Sequence, residues 1–351
     1  MSAALSLREP EPLALQRPEP ILSVRGLRSI VPQGSSPLVL VDGVSLQVGR
    51  GETLAVVGES GSGKTMTFLS AIQLAPKAVR VVEGEVMLNG QNLVGAAPAT
   101  LRQLRGTTIS MVFQDPLTGL NPVFPVGEQI VEVLRAHLPL SRKEAHERAV
   151  ALLDRVRIPA PSRRFSDYPH QFSGGMRQRV LIAMAIALGP KVLIADEPTT
   201  ALDVTVQAQV LDLLAELQHE SGMALVLITH DLGVVARYAD HVAVMYSGRV
   251  VEEGPTDRVF GAASHPYTVS LFRSIPHLDG DADRPLTPIE GQPPQPGMPR
   301  QACAFEPRCF LSRGRQDCRS VPPGLEPAGP GQKAACHHRD ELGRPLAELS
   351  A

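Results

Sequence analysis

The chain has 351 residues, a formal net charge of -2, 43% hydrophobic and 20% charged residues, a profile suited to one large globular domain with an appendage or to two domains. That charge balance gives no electrostatic case for nucleic acid as a partner. No apolar run approaches the roughly 20 residues that a membrane helix needs.

Residues 1–20 are rich in Pro, Glu and Leu, lack the basic start and apolar core of a signal peptide, and are expected to be a disordered lead-in. Residues 21–57 are expected to form an antiparallel β region, with apolar segments at Ile21–Val24, Leu38–Val41 and Val44–Val48 separated by Gly, Ser and Pro. Thr53–Val57 is apolar and partly β-branched, as a buried parallel strand should be. It runs into Gly58-Glu59-Ser60-Gly61-Ser62-Gly63-Lys64-Thr65, which fits G-x-x-x-x-G-K-[ST]. A helix over Met66–Leu74, stopped by Pro76, completes the strand–loop–helix context that a phosphate-binding loop requires. Glycines there let backbone N–H groups curl around an anion at a helix N-terminus. Lys64 would reach the terminal phosphates and the Thr65 hydroxyl would ligate Mg²⁺.

Val81–Leu88 alternates as a strand, Asn89-Gly90 signals a tight turn, and Ile109–Phe113 is a short buried strand ending at Gln114. From about Asp115 to Arg179 the texture becomes helical, with periodic segments at Val126–Leu138 and Arg142–Val156. The α/β alternation then resumes: strands at Val192–Ala195, Leu225–Ile228 and Val242–Met245, helices at Val204–Glu220 and Leu232–Tyr238. Alternation of this kind implies an α/β fold, a mainly parallel sheet with helices on both faces, carrying a helical insert at about 115–180. No internal repeat is visible. Six prolines between Pro285 and Pro299 mark an extended linker at 276–300, and a cysteine-bearing tail occupies 301–351.

Several strand ends carry chemistry. Asp196-Glu197 ends the strand Val192–Ala195; successive strand residues point to opposite sides, so Asp196 is placed for Mg²⁺ and Glu197 for the attacking water. His230 and Gln114 also follow strands directly, where a donor can stabilise transition-state charge and an amide can touch both metal and water. Ser173-Gly174-Gly175 opens the helix Met176–Leu188; the residues fit a plain Ser N-cap and an anion-accepting backbone equally well.

Phe172-Ser173-Gly174-Gly175-Met176-Arg177-Gln178-Arg179 resembles the signature motif of ATP-binding cassette ATPases. The phosphate loop, Gln114, Asp196-Glu197, the D-loop Ala201-Leu202-Asp203 and the switch histidine His230 accompany it in that family's order, over about residues 21–275. Phe113–Pro122 and His265-Pro266-Tyr267-Thr268 resemble the ATPase subunits of oligopeptide/dipeptide permeases, including their nickel-type relatives. Phe172 and Met176 stand where the wider family has Leu and Gln, and no aromatic residue for adenine lies between Ser29 and Val44. The resemblance implies a P-loop NTPase core with an antiparallel β subdomain and a helical signature subdomain, working as a head-to-tail pair. Ser173, Gly174, Gly175 and Asp203 would then serve the nucleotide held by the partner cassette, a paralogue rather than an identical copy. It also implies two transmembrane permease subunits, an extracytoplasmic solute-binding protein and a peripheral place on the cytoplasmic face of the inner membrane. A soluble cassette acting on DNA or ribosomes often has a second cassette, a coiled-coil insert or basic arms, and none is evident. An idle cassette is disfavoured by the presence of Lys64, Glu197 and His230.

Cys303, Cys309, Cys318 and Cys336 are the only cysteines, all in the tail. Their spacing matches no common zinc-finger pair or ferredoxin run, so metal, two disulfides or no joint role all stay open on spacing alone. Cys303-Ala304-Phe305-Glu306-Pro307-Arg308-Cys309, with Ala335-Cys336-His337 later, resembles the C-terminal motif of the peptide-permease ATPases. That resemblance implies a [4Fe–4S] cluster on the four thiols, with Zn²⁺ as the alternative, using His337 or His338 as a further ligand.

Overall fold

The structure is a computed structural model that describes residues 19–34, 36–115, 119–200, 202–274, 288–294 and 301–342. The lead-in up to residue 18, residues 116–118, Ala201, most of the Pro-rich stretch and the end of the tail lie outside the described residues.

Two sheets organise the chain. A four-stranded antiparallel sheet contains β1 (Pro20–Val31), β2 (Leu38–Gly49), β4 (Arg80–Leu88) and the short β5 (Gln91–Asn92), in the order β2-β1-β4-β5. Leu38–Val41 and Val44–Val48, separate in the sequence pattern, are one strand here; the break between them coincides with register shifts opposite Leu27 and Ser29. The Asn89-Gly90 turn joins β4 to β5, both residues at positive φ, as a tight hairpin turn demands.

The larger sheet has eight strands. Its parallel part is β9 (His241–Tyr246), β3 (Thr53–Val57), β8 (Ala224–Ile228), β7 (Val192–Asp196) and β6 (Ile109–Val112), in that spatial order. Every residue of β3, β7 and β8 is buried, the expected state of strands covered on both faces. Alternate residues serve opposite faces. Val226 and Ile228 meet the core shared with the antiparallel sheet, whereas Leu225 and Leu227 meet the core under the helical insert. Beyond β9 the sheet continues antiparallel through β10 (Arg249–Pro255), β12 (Gln332–Ala334) and β11 (Glu326–Gly329).

Helix α1 (Lys64–Ala71) leads directly out of the Gly-rich loop and starts at Lys64 rather than Met66, because Gly63 at φ 98 takes the cap position. It ends at Ala71, and the N–H groups of Leu74 and Ala75 fold back onto the Leu69 carbonyl before Pro76. A kinked α2 (Pro98–Thr107) precedes β6; its small-residue start hid it from periodicity. The insert holds α3 (Val126–His137) and α4 (Arg142–Arg155), the latter closed by a capping box between Ser141 and Glu144. Helix α5 (Gly174–Ile186) then returns to the sheet and packs on α6 (Val204–Ser221).

Helices α7 (Leu232–Tyr238), α8 (Thr256–Gly261) and α9 (Pro266–Arg273) cover the remaining face together with the cysteine segment. Phe305 is 1% exposed and its ring lies 5.3 Å from Tyr246, 5.4 Å from Tyr267 and 5.9 Å from the His265 ring, centroid to centroid. The fully buried Glu252 of β10 accepts from Ser264 N–H at 2.7 Å, His265 N–H at 3.0 Å and Gln332 Nε2 at 2.7 Å. It thereby holds β12 to the sheet by a side chain as well as by the ladder.

Candidate nucleotide site

The loop after β3 is shaped by its glycines. Gly58 has φ 149, and a Cβ there would lie 2.2 Å from the Met245 carbonyl oxygen. Gly63, at φ 98, would meet the Leu40 carbonyl at 3.1 Å. Only glycine lets the loop lie this close to β9 and β2. Lys64 curls back over the loop and donates to the carbonyls of Gly58 at 2.8 Å and Glu59 at 3.1 Å. Burial lowers its pKa, opposed by the nearby carboxylates of Glu197, Asp196 and Glu59.

At the end of β7 the Asp196 carboxylate accepts from the Thr65 hydroxyl at 3.0 Å. Burial pushes Asp196 up to about 6, with the Thr65 hydrogen bond opposing that and the Glu197 charge adding to it. The next residue, Glu197, has φ 44, unusual for a residue with a side chain. Its Oε2 accepts from Gln114 Nε2 at 2.8 Å and from Thr200 Oγ1 at 3.0 Å, and its Oε1 stands 3.3 Å from His230 Nδ1. Three strand ends thus converge: β6 delivers Gln114, β7 delivers Asp196 and Glu197, and β8 delivers His230.

These groups border a cavity of about 700 Å³ whose wall includes Gly61, Lys64, Thr65, Gln114, Glu197 and His230. On another side the wall is aliphatic, made of Val39 and Leu40 from β2 and Pro294 from the segment 288–294. A cavity of about 720 Å³ near Arg50, Asp240 and Lys333 lies at the opposite, amino-terminal ends of β3 and β9. Open α/β sheets bind ligands at the carboxyl ends of their strands, which selects the first cavity.

Ser173, Gly174, Gly175 and Asp203 do not line this cavity. Ser173 and Asp203 are exposed N-caps, accepting from Met176 N–H at 3.3 Å and Val206 N–H at 2.9 Å. Gly175 also lets α5 pack against α6, since a Cβ there would lie 2.3 Å from Val206 Cγ1.

Three participants escaped the sequence pattern. Thr200 supports Glu197, and Tyr267 and Arg308 hold the loop itself: the Glu59 N–H donates to Tyr267 Oη at 2.8 Å, and Arg308 grips the Glu59 carboxylate at 2.7 and 2.9 Å. Tyr267 and Arg308 fall inside stretches that marked a resemblance, but nothing in their spacing reveals contact with a loop two hundred residues away.

In the cysteine segment all four thiols line one small cavity with Phe305 and His338, and none is in a disulfide. Burial raises all four pKa values, Cys318 to about 11 and Cys336 to about 12. His338 Nε2 lies 2.9 Å from Asp317, and His337 Nε2 lies 3.0 Å from the Val321 carbonyl. The His337 imidazole is thus engaged outside the thiol set, whereas His338, Asp317 and the Cys318 thiol bring one ligand atom each within 4.8 Å of one another.

A phosphate loop at the carboxyl end of a parallel sheet, with a carboxylate pair and a histidine facing it, defines a nucleotide-hydrolysing site of the P-loop class. The comparisons narrow the class. Residues 41–200 match the ABC transporter family and residues 251–318 match the oligopeptide/dipeptide transporter C-terminal region. The chain is 46% identical over 336 residues to a putative peptide import ATP-binding protein of Brucella melitensis, covering 92% of this chain and 98% of that one. It is 47% identical over 320 residues to another such protein of Brucella abortus, covering 91% and 95%. Among solved structures it is similar to the ATP-binding cassette MJ0796 in a dimeric post-hydrolysis state bound to ADP and phosphate, with TM-score 0.60 and 27% identity over 67% of this chain and 98% of that one. It is also similar to cbiO1 from Clostridium perfringens, part of the cbiONQ transporter complex, with TM-score 0.59 and 29% identity over 69% and 90%. The chain belongs to the ATP-binding cassette family and is an ATPase of it, with the oligopeptide/dipeptide transporter C-terminal region.

Proposed function

We propose that this chain hydrolyses ATP to drive peptide import through a membrane transporter, as a peripheral subunit on the cytoplasmic face of the inner membrane. The observation that carries the chemistry is the junction of Gln114, Glu197 and His230 beside Lys64 and Thr65 in one cavity. The peptide substrate rests on the names that similar chains carry.

In this reading Lys64 leaves the loop carbonyls for the phosphates, while residues 58–65 cradle them. Thr65 and Asp196 are hard oxygen donors already side by side, a set suited to Mg²⁺; Gln114, its nitrogen on Glu197, has its oxygen left for the same ion. Bound there, Mg²⁺ would neutralise charge on the phosphate oxygens. Glu197 accepts a proton from the attacking water, oriented by Gln114 and Thr200, and His230 stabilises the developing charge.

Ser173, Gly174, Gly175 and Asp203, away from this chain's cavity, are read as this chain's contribution to the site of a paralogous partner cassette. The dimeric form of a similar cassette supports head-to-tail pairing. A single helix N-terminus favours an anion by only about 0.3–2 kcal/mol, so closure needs both signature helices together with the bridging phosphates. Val123 and Phe124, 70% and 54% exposed between Gln114 and α3, supply an apolar face for one of two permease subunits. An extracytoplasmic binding protein would deliver the peptide. The chain is thus read as a cassette at 21–275, a Pro-rich connection at 276–300 and a cysteine tail at 301–351.

The convergent thiols fit a soft-metal group, read here as an all-cysteine [4Fe–4S] site, while His338, whose ring stands with Cys318 and Asp317 within 4.8 Å, keeps Zn²⁺ as the alternative. Such a group would supply a structural staple or a redox-responsive one. Cys303, Cys309, Cys318 and Cys336 would each give up a proton to bind it. Iron and acid-labile sulfide in anaerobically purified protein support the cluster; zinc without sulfide overturns it. For the whole reading, the chain is co-reconstituted in vesicles with its permease subunits and binding protein. ATP-dependent uptake of labelled peptide is expected, and uptake that persists in Glu197→Gln would overturn the assignment of the base.

A further inference from the structure

The nucleotide cavity and the thiol cavity are linked through residues of the cysteine segment. Arg308 stands directly before Cys309, inside the segment that Cys303 opens. Its side chain is 4% exposed, yet its guanidinium forms a two-pronged ion pair with the phosphate-loop residue Glu59, at 2.7 and 2.9 Å. The remaining donor directions are also used: Nε donates to the Glu290 carbonyl at 2.9 Å and Nη1 to Tyr246 Oη at 3.3 Å. Burial of a charge in this way is tolerated only with full pairing, and a fork on a carboxylate fixes both groups in orientation as well as distance. Glu59 is held from the same side by its backbone, whose N–H donates to the buried hydroxyl of Tyr267. Both polar handles of Glu59 thus point to the C-terminal region, and the Glu59 carbonyl accepts from Lys64.

Phe305 closes the connection at the other end. It lines the thiol cavity while its ring packs between Tyr246 and Tyr267, the two tyrosines whose hydroxyls meet Arg308 and Glu59. The fold of Cys303–Cys309 and the position of the loop are therefore set by one packed unit. The segment 288–294 belongs to it, because Glu290 accepts from Arg308 and Pro294 walls the nucleotide cavity.

We propose that Arg308 is a positioning residue for the phosphate-binding loop, and that through it the state of the thiol cavity sets how tightly the chain holds ATP. A loop fixed through Glu59 presents its amides without an ordering cost when the nucleotide arrives. A thiol cavity that is filled holds Phe305 and Arg308 in place; an emptied one loosens them and the loop with them. The coupling is reciprocal, so nucleotide binding would strengthen the hold on whatever the thiols bind. The thiol arm rests on the metal reading proposed above, whereas the Arg308 arm does not.

The test measures affinity for a fluorescent ATP analogue with Mg²⁺ on the full chain. Arg308→Met is expected to weaken binding by roughly 5-fold or more, in the ordinary range of site-to-site coupling, while turnover at saturating ATP changes less. Arg308→Lys, which keeps charge but not the fork, should recover part of the loss. In a Glu59→Gln background, Arg308→Met should add little, since both act on one contact. Lys333→Met is the control: it breaks the exposed Lys333–Glu253 pair in the same tail, at 2.9 Å, away from both the loop and the thiols. It should leave affinity unchanged. Wild-type affinity should fall when bound metal is stripped under reducing conditions and counted, and Arg308→Met should not respond to stripping. Wild-type affinity in folded Arg308→Met overturns the proposal. An equal loss in Lys333→Met does the same, by showing general loosening of the tail. If wild-type protein carries no metal, the cysteine-centre reading falls, and the contrast between Arg308→Met and Lys333→Met alone decides the role of Arg308.

Discussion

Gln114 Nε2 donates to Glu197 Oε2 at 2.8 Å, so the segment that leads into the helical insert is bonded to the residue that follows β7. The same carboxylate takes Thr200 and faces His230, and it does so from a left-handed backbone. Strain of that kind is retained where surrounding contacts over-determine it, often at reacting centres. Glu197→Gln keeps the shape and removes the base. It is expected to lower ATP turnover by about 100-fold or more while nucleotide affinity holds. Steady-state hydrolysis compared with nucleotide binding by the same variant checks this.

Thr65→Val tests the cation side. The substitution removes the hydroxyl that donates to Asp196 and leaves a carboxylate already raised to about 6 with one fewer donor. A hydrogen bond to a charged group contributes about 1.5–3 kcal/mol, so the Mg²⁺ concentration for half-maximal hydrolysis should rise by roughly 10-fold or more. In the wild type, Mg²⁺ must displace the Asp196 proton below about pH 6, so the Mg²⁺ requirement should climb as pH falls through that value. A Mg²⁺ titration on either side of it measures both effects.

The parts of this site visible in the sequence are those fixed by local geometry. The loop, Asp196-Glu197 and His230 each sit at the end of an apolar strand, and a strand end in a parallel sheet is already an address. Helices α3, α4 and α7 follow from periodicity. What stayed hidden depends on long-range docking. Six prolines make 285–299 look like a spacer, yet Ile289 packs on the core and Pro294 reaches the nucleotide cavity. Glu326–Ala334, a polar hairpin with two prolines, becomes sheet only because Glu252 and the edge of β10 receive it. The grip of Arg308 on Glu59 joins positions 249 apart and has no periodic trace.

The tail's docking predicts that it cannot be loosened without cost to the cassette. Phe305 is fully buried among Tyr246, Tyr267 and His265. Phe305→Ala is expected to destabilise the chain by about 3–5 kcal/mol, the range for emptying a buried aromatic site. Denaturant unfolding gives the number directly; a change under 1 kcal/mol would mean the ring is not part of the core in solution.

Glu252 gives a pH signature. It is fully buried at the join of β10 and β12, and burial pushes it up to about 7, against the hydrogen bonds from Ser264, Gln332 and His265 that favour the charged form. Between the ordinary 4.5 and about 7 the folded chain keeps a proton that the unfolded chain has released. The unfolded state binds fewer protons there, so this residue's contribution is full below 4.5 and is lost as pH rises to about 7, by at most about 3 kcal/mol. His265 acts in the opposite sense. Its burial lowers it to about 3, so the folded chain stays neutral where the unfolded imidazole charges, and stability is lost as pH falls below 6.5. The two slopes oppose each other in the wild type, and Glu252→Gln separates them. The variant loses the carboxylate's titration while its amide meets the His265 N–H donor to donor. It should be less stable at the acidic end of the window and nearly equal to wild type at the neutral end, so the difference between the two unfolding curves shrinks with rising pH. A difference that stays constant across that window would show that Glu252 is ionised throughout.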